Sequence, residues 1–254
     1  MALAKKQIKQ ITHIPNHGKE TIFSIIGRME VLIAAFESQK SLQPLVPFLE
    51  TYYLVTRTVA EKSLEHAGYF HDPHHLQQLD VEFASLYFTP LDQRLTGGLQ
   101  LGPWKTYFDY TRHDRYPFLQ MLLGINTHIN ADLSLALVKT GYNDRKDFLK
   151  INKILEEVIP HIMLFLAMRN HDVYAFSGLV LKKFFLTEFH KTVVRWREDA
   201  WENRKKLKSV KDLKKLHRKT DQVSGELIKI FESHKKIQNA VGFLDKVNTL
   251  SVRL

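Results

Sequence analysis

Apolar residues recur along nearly the whole chain at intervals of three and four, the spacing that gathers them on one face of a helix. Residues 21–38 carry Ile22, Ile25, Ile26, Met29, Leu32, Ile33 and Phe36 at that period, which predicts an amphipathic helix with a wide apolar stripe. Pro44 and Pro47 interrupt the pattern, and 49–64 resumes it. Asp72-Pro73 then supplies an N-cap followed by proline in the first helical turn, where its missing N–H is harmless. The helix so opened runs through Leu76, Leu79, Phe83, Leu86 and Tyr87, and Pro90 is expected to kink or end it. Gly97-Gly98 and Gly102-Pro103 bracket a loop before Trp104, Tyr107, Phe108 and Tyr110. Asn143-Asp144 caps a further helix, which Pro160 should bend rather than end. The stretch 173–254 lacks proline and predicts two to four long helices, the last over about 221–247. Neither a strand alternation nor a solenoid period is present. The expected fold is all-α, a multi-helix bundle.

The run 118–138 departs from this amphipathic pattern. It is apolar nearly all the way round and should be the buried central helix, yet Asn126, His128, Asn130 and Asp132 sit in its middle. Buried amides, imidazoles and carboxylates cost several kcal/mol each unless they find partners, so this cluster is the candidate site. On a helix His128 and Asp132 share one side, and Asn126 and Asn130 form a second pair turned well away from it. Asp80, Phe83 and Tyr87 share one face of the helix that Asp72 opens. Packing of the two helices would bring Asp80 and Tyr87 toward His128 and Asp132.

Three uses of that cluster are compatible with the residue types. Asp132 can orient His128 as a general base or acid, with Asp80 and Tyr87 contributing from the neighbouring helix. His128, Asp132 and Asp80 can instead ligate a divalent metal, the one cofactor that the residues leave open. No HExxH motif or paired Glu-x-x-His supports the metal, although His71, His74, His75, His161 or His171 could complete a ligand set. The third use is a satisfied polar network that fixes helix register. Asn126 and Asn130 suit hydrogen-bond organisation or direct ligand contact. Arg57 can pair with Asp80 or reach an anionic substrate. Trp104, with Tyr107 and Tyr110, can wall a pocket or close the core.

Composition changes the picture at the C-terminal end. The formal charge is +10, and 182–219 is crowded with Lys and Arg, including Arg204-Lys205-Lys206-Leu207-Lys208 and Lys214-Lys215-Leu216-His217-Arg218-Lys219. Such a stretch is either a solvated helical face or a surface for nucleic acid or an anionic membrane. Trp196 and Trp201, set among Arg195, Arg197 and Arg204, are expected to pack their helix on the bundle while the charges stay in water. The expected organisation is a helical core over 1–170, followed by basic helices over 171–254 that pack on it or extend it. The absence of cysteine excludes disulfides and cysteine nucleophiles. The first residues lack a signal-peptide core, and polar groups within 118–138 argue against a membrane span. A soluble, cytoplasmic protein is expected.

From about Phe48 to Ile162 the chain resembles the bacterial domain-of-unknown-function family 5995. The resemblance rests on Tyr53-Leu54-Val55-Thr56-Arg57, Tyr69-Phe70-His71-Asp72-Pro73, 79–87, Trp104, 124–133 and Asp147-Phe148-Leu149-Lys150-Ile151-Asn152, in that order. Its most specific piece is Asn-x-His-Ile-Asn-x-Asp-Leu, here Asn126 to Leu133. Thr127 stands where the family usually has alanine, and Ser134 where it often has proline. Because the family's function is unassigned, the resemblance implies where the site is and not what it does. The leading expectation is a small enzyme acting on a hydrophobic or amphipathic molecule between helices, through His–Asp acid/base chemistry. The alternatives are a non-enzymatic interaction protein using the basic C-terminal face, and a divalent-metal-dependent hydrolase.

Overall fold

The computed structural model describes residues 5–14, 19–99, 102–113, 116–169, 183–233 and 246–254. Among the described residues there are ten α-helices and no strand. They are α1 (Lys5–Thr12), α2 (Ile22–Glu37), α3 (Val46–Glu65), α4 (Pro73–Thr96), α5 (Trp104–Tyr110), α6 (Pro117–Thr127), α7 (Ser134–Thr140), α8 (Arg145–Arg169), α9 (Lys183–Asn203) and α10 (Val210–Ser233). A 3-10 turn, Gln43–Leu45, leads into α3, and a π-helical turn, His128–Leu133, joins α6 to α7. The all-α bundle is as the periodicity predicts.

Local chemistry sets most boundaries. Thr21 and Ser24 form a reciprocal capping box at the start of α2. The Asp72 carboxylate accepts from His75 N at 2.9 Å to open α4, and Asp144 accepts from Asp147 N at 2.9 Å to open α8. Gly97, at φ 81°, closes α4 in the left-handed conformation that glycine adopts without strain. Prolines disturb the helices less than expected. Pro47 lies in the first turn of α3, which therefore starts at Val46, and α4 continues through Pro90 to Thr96. The last long helix also begins earlier than 221. Ser209 accepts from Asp212 N at 3.2 Å, a local cap that starts α10 at Val210. Its expected continuation over 234–245 lies outside the described residues.

The centre of the bundle is the rod made by α6, the π-helical turn and α7. Helices α3, α4, α5, α8, α9 and α10 all pack against parts of it. From Phe118 to Leu137 only Ile129 and Leu135 keep appreciable exposure. The rod, Pro117–Thr140, does reach the length and mean hydropathy (1.2) of a membrane-crossing helix despite its polar residues, which corrects the sequence expectation. In the fold, 83% of its most apolar stretch is buried against other helices. Asp147 anchors the edge of this arrangement. Fully buried, its carboxylate accepts from His71 N (2.6 Å), Asp72 N (2.9 Å) and Lys150 Nζ (2.7 Å), tying the start of α4 to α8.

Phe48 of α3 packs against the rod at Gly124, where a Cβ would lie 2.3 Å from Phe48 Cγ. Phe48 is itself 1% exposed and cannot swing into solvent. Gly124→Ala is therefore expected to lower stability by about 1–3 kcal/mol through overpacking, despite alanine's better helix propensity. Denaturant unfolding of the two proteins checks this, and an unchanged midpoint would contradict the packing.

Candidate functional site

The π-helical turn carries the two ionisable residues of the polar cluster. His128 Nδ1 lies 3.0 Å from Asp132 Oδ2, and Trp104 Nε1–H donates to the same oxygen at 2.9 Å. His128 is 3% exposed and Asp132 6%. Aromatic rings enclose the imidazole: Phe83 stacks flat on it (centroids 3.6 Å apart, planes 8° apart), and Tyr52 meets it edge-on at 4.5 Å. Phe48 and Trp104 stand at 5.6 and 6.0 Å. A ring so clamped, with one nitrogen committed to a carboxylate, has a fixed orientation.

The opposite nitrogen is left over. His128 Nε2 is buried and has no hydrogen-bond partner among the described residues. His128 lines an interhelical cavity of about 120 Å³ between α3, α4, α8, α9 and the rod. Its walls are mostly Leu, Ile, Val and Phe. Tyr142 and Asp80 also line it, and the Tyr142 hydroxyl and Asp80 Oδ2 are likewise buried and unpartnered among the described residues. Polar atoms are normally satisfied when buried, so three such residues on one apolar cavity make it the candidate ligand site.

Burial dominates the electrostatics. It lowers the His128 pKa well below the ordinary imidazole value, so the ring is neutral at neutral pH. It raises Asp132, an effect opposed by the Trp104 N–H and the charge of Lys139. With Asp132 ionised, Nδ1–H donates to it and Nε2 offers a lone pair; with Asp132 protonated, its O–H donates to Nδ1 and Nε2 carries hydrogen. The Trp104 bond pulls toward the first arrangement by stabilising the carboxylate, and the larger effect of burial pulls toward the second.

The other sequence candidates are distributed around this centre. Asp80 is on the cavity wall, as is Phe83 from the same face of α4. Tyr87 is fully buried with its ring centroid 6.2 Å from that of His128, behind the cavity rather than on its wall. Asn126 Nδ2 donates to Thr220 O (3.1 Å) and Ser224 Oγ (2.9 Å), while its Oδ1 accepts from Asn130 Nδ2 (2.8 Å). The amide pair thus docks α10 on the rod, away from the cavity. Arg57 pairs with Glu61 and lies over the Tyr53 ring on the exposed side of α3. Trp104 acts on Asp132 and does not line the cavity.

No three His, Asp or Glu side chains among the described residues are grouped closely enough to hold a metal, the His128–Asp132–Asp80 set included. His71 bonds Asp144 at 2.8 Å, His75 bonds Thr140 O at 3.0 Å, and His74 and His161 are exposed. His171 lies outside the described residues.

Sequence reasoning missed two groups. Trp196 and Trp201 are buried as expected, but Arg197 follows them inward and lines the cavity at 7% exposure. Tyr142, fully buried, also lines it. The only sequence signal for Arg197 was its position at the helical period after Phe189 and Val193 on α9.

Asp80 gives the site a pH signature. Its residue keeps some accessible surface, but Oδ2 is enclosed, and burial pushes the carboxyl from 3.8 up to about 7. The folded protein therefore holds a proton that the unfolded chain releases near pH 4, and stability falls as pH rises from about 4 to 7. Replacing this carboxyl by Asp80→Asn should stabilise the protein at pH 8, by up to a few kcal/mol, and much less at pH 5. Urea unfolding at both values measures the difference; equal effects would contradict a buried, titrating Asp80.

The family model of DUF5995, described as a family of unknown function, matches residues 22–233. The match takes in the 48–162 segment and extends through α2 at one end and α9 and α10 at the other. No curated protein and no solved structure matches the chain. With the match covering most of its length, the chain belongs to DUF5995, a family of unknown function.

Proposed function

We propose that this protein is an enzyme that takes a small, largely apolar molecule into the interhelical cavity and moves a proton on it through His128 Nε2. The observation that carries this reading is the unpartnered Nε2 itself. Asp132 and Trp104 fix one side of the ring, Nε2 on the other side has no hydrogen-bond partner among the described residues, and His128 lines the cavity. A base held by a carboxylate that is held in turn by a third group is the arrangement that acid/base catalysis needs. A purely structural histidine would use both nitrogens or tolerate replacement. His128 would be the catalytic residue, Asp132 and Trp104 positioning residues, and Asp80 a second proton-carrying group on the wall. The neutral state of His128 suits a base, and the dry surroundings strengthen its interaction with an incoming polar group.

The test is a panel of eight-carbon ketone, ester and epoxide probes followed by NMR in deuterated water, which reads both hydrolysis and proton exchange next to a carbonyl. Turnover of a panel member by the wild type should drop by about 10²–10⁴-fold in His128→Gln. Glutamine can still donate to Asp132, so its fold should be kept, with near-ultraviolet circular dichroism as the control. Equal turnover by a folded His128→Gln protein would refute the reading.

One observation favours a second, non-enzymatic reading. Lys208, Lys211, Lys214, Lys215 and Arg218 are all exposed along the end of α9's loop and the first half of α10. An anionic partner on this face would bind with a steep salt dependence. Titration with duplex DNA at about 50 and 200 mM salt, where roughly 10³-fold or more of affinity is lost for many phosphate contacts, reads it out. Salt-insensitive or absent binding counts against it.

A further inference from the structure

The cavity wall contains a cation that the His128 chemistry does not use. Arg197 projects from α9 with its guanidinium carbon 4.3 Å from the centroid of the Phe148 ring. Its Nε donates to Asn152 Oδ1 at 2.8 Å, and Nη2 donates to Phe148 O at 3.0 Å. Both acceptors are neutral, and no carboxylate pairs with Arg197 among the described residues. Glu198, next to it in sequence, is engaged with Arg145, and buried Asp147 is committed to two backbone N–H groups and Lys150. Burial lowers the guanidinium to about 10, opposed by the charge of Glu198, so it stays charged at neutral pH. A buried charge with no directly bonded counter-ion is disfavoured. The bundle tolerates one here beside a cavity.

A donor without an acceptor stands next to it. Tyr142 lines the same cavity, is fully buried, and its hydroxyl has no partner among the described residues. Burial together with Asp147, Asp144 and Asp72 holds its pKa above the ordinary phenol value, so the hydroxyl keeps its hydrogen and can only be satisfied by an acceptor or a water. The cavity wall thus holds a guanidinium and an O–H donor, neither hydrogen-bonded to a carboxylate among the described residues.

We infer that the cavity is built for an amphipathic carboxylic acid, whose carboxylate is received by Arg197 and Tyr142 and whose apolar body lies along the aliphatic wall. Several features select this class. One buried guanidinium balances one negative charge, which suits a carboxylate better than a dianionic phosphate monoester. The volume, about 120 Å³, fits a molecule of roughly ten non-hydrogen atoms at the space one water-sized group requires. Leu76, Leu79, Ile151 and Leu155 furnish an apolar lining. The acid end and the proton-moving end have different neighbours: Arg197 lies on Phe148, whereas the rings around His128 are Phe48, Tyr52, Phe83, Tyr87 and Trp104. A substrate of this class would be anchored at its carboxylate while a carbon or oxygen farther along meets His128 Nε2.

This inference rests on the cavity being the ligand site, so the experiment separates the two. Calorimetric titration of the full chain compares octanoate with octan-1-ol, ligands of equal chain length that differ at the head group. On the wild type octanoate should bind at least about tenfold more tightly than octan-1-ol. Arg197→Gln and Tyr142→Phe should each remove most of that preference and leave octan-1-ol affinity unchanged. Tyr142→Phe is the safer variant, because the hydroxyl it deletes bonds nothing among the described residues and its loss should not disturb the fold. Equal binding of the two ligands, or an unchanged octanoate preference in both variants, overturns the acid site while leaving an apolar cavity in place. Failure of both ligands to bind overturns the acid site and the cavity reading together. Binding of octanoate that depends on Arg197, with turnover that does not depend on His128, supports the acid site and refutes the proposed chemistry alone.

Discussion

A helix enclosed by other helices cannot offer its polar side chains to water, so each such side chain must find a partner inside the bundle or stand against a cavity. The rod from Pro117 to Thr140 is under that constraint along most of its length. Its two polar pairs meet it in opposite ways. Asn126 and Asn130 bond each other, and Asn126 reaches Thr220 and Ser224 on α10. Their burial is offset by docking a helix that is distant in sequence. Thr127 and Ser134 are absorbed more locally, each donating to a carbonyl one turn earlier on the rod. His128 and Asp132 satisfy each other and Trp104 and then leave Nε2 over. The same physical demand therefore makes a helix joint of the amide pair, although Asn130 Oδ1 keeps no partner among the described residues, and leaves Nε2 over on a residue that lines the cavity.

The ionisable pair lies wholly within the π-helical turn. In a turn widened to i→i+5 bonding the side chains fan over a different arc than in an α-helix, and such turns recur at functional sites. His128 to Leu133 is that turn, and it lies where α4, α9 and α10 all touch the rod. The family's most specific motif, Asn126 to Leu133, coincides with it almost residue for residue. Its other pieces meet around it: Asp147 holds the backbone of His71 and Asp72, and Trp104 holds Asp132. Motif segments far apart in the chain are thus joined by hydrogen bonds that either build the site or fix the helices that wall it.

Much of this was legible in the sequence because it depends on local rules. Asp72-Pro73 and Asn143-Asp144 announce helix starts by capping chemistry, and the apolar period of α2 and α8 states which faces are buried. The polar row in an all-round apolar run identified the site for an energetic reason, since such a row needs partners. What stayed hidden depends on tertiary contact. A π-helical turn has no propensity signal of its own, and a Phe83 that stacks on an imidazole reads the same as any core phenylalanine. Arg57 and Arg197 are the sharpest contrast. Both sit on helices with mixed charge, but Arg57 stays on the surface with Glu61 while Arg197 is carried inward by the Phe189–Val193–Arg197 face of α9. Residue type alone could not say which.

The proposed ligand rests on the unsatisfied groups of the cavity wall. Asp147 and Asp132 show that this bundle can bury a carboxylate well, with three donors on one and two on the other. Among the described residues, Asp80 Oδ2, the Tyr142 hydroxyl and His128 Nε2 have no hydrogen-bond partner. All three belong to residues on the wall of one cavity, together with a buried guanidinium that bonds no carboxylate among the described residues. Each such group costs on the order of 1–3 kcal/mol, a large sum for a fold whose total stability is only about 5–15 kcal/mol. Other buried polar atoms of the described residues also lack partners away from this wall, among them the Tyr87 hydroxyl, Gln120 Nε2 and Asn130 Oδ1. What sets the cavity apart is that three such residues and a buried guanidinium share one apolar wall, and the proposed ligand rests on that combination.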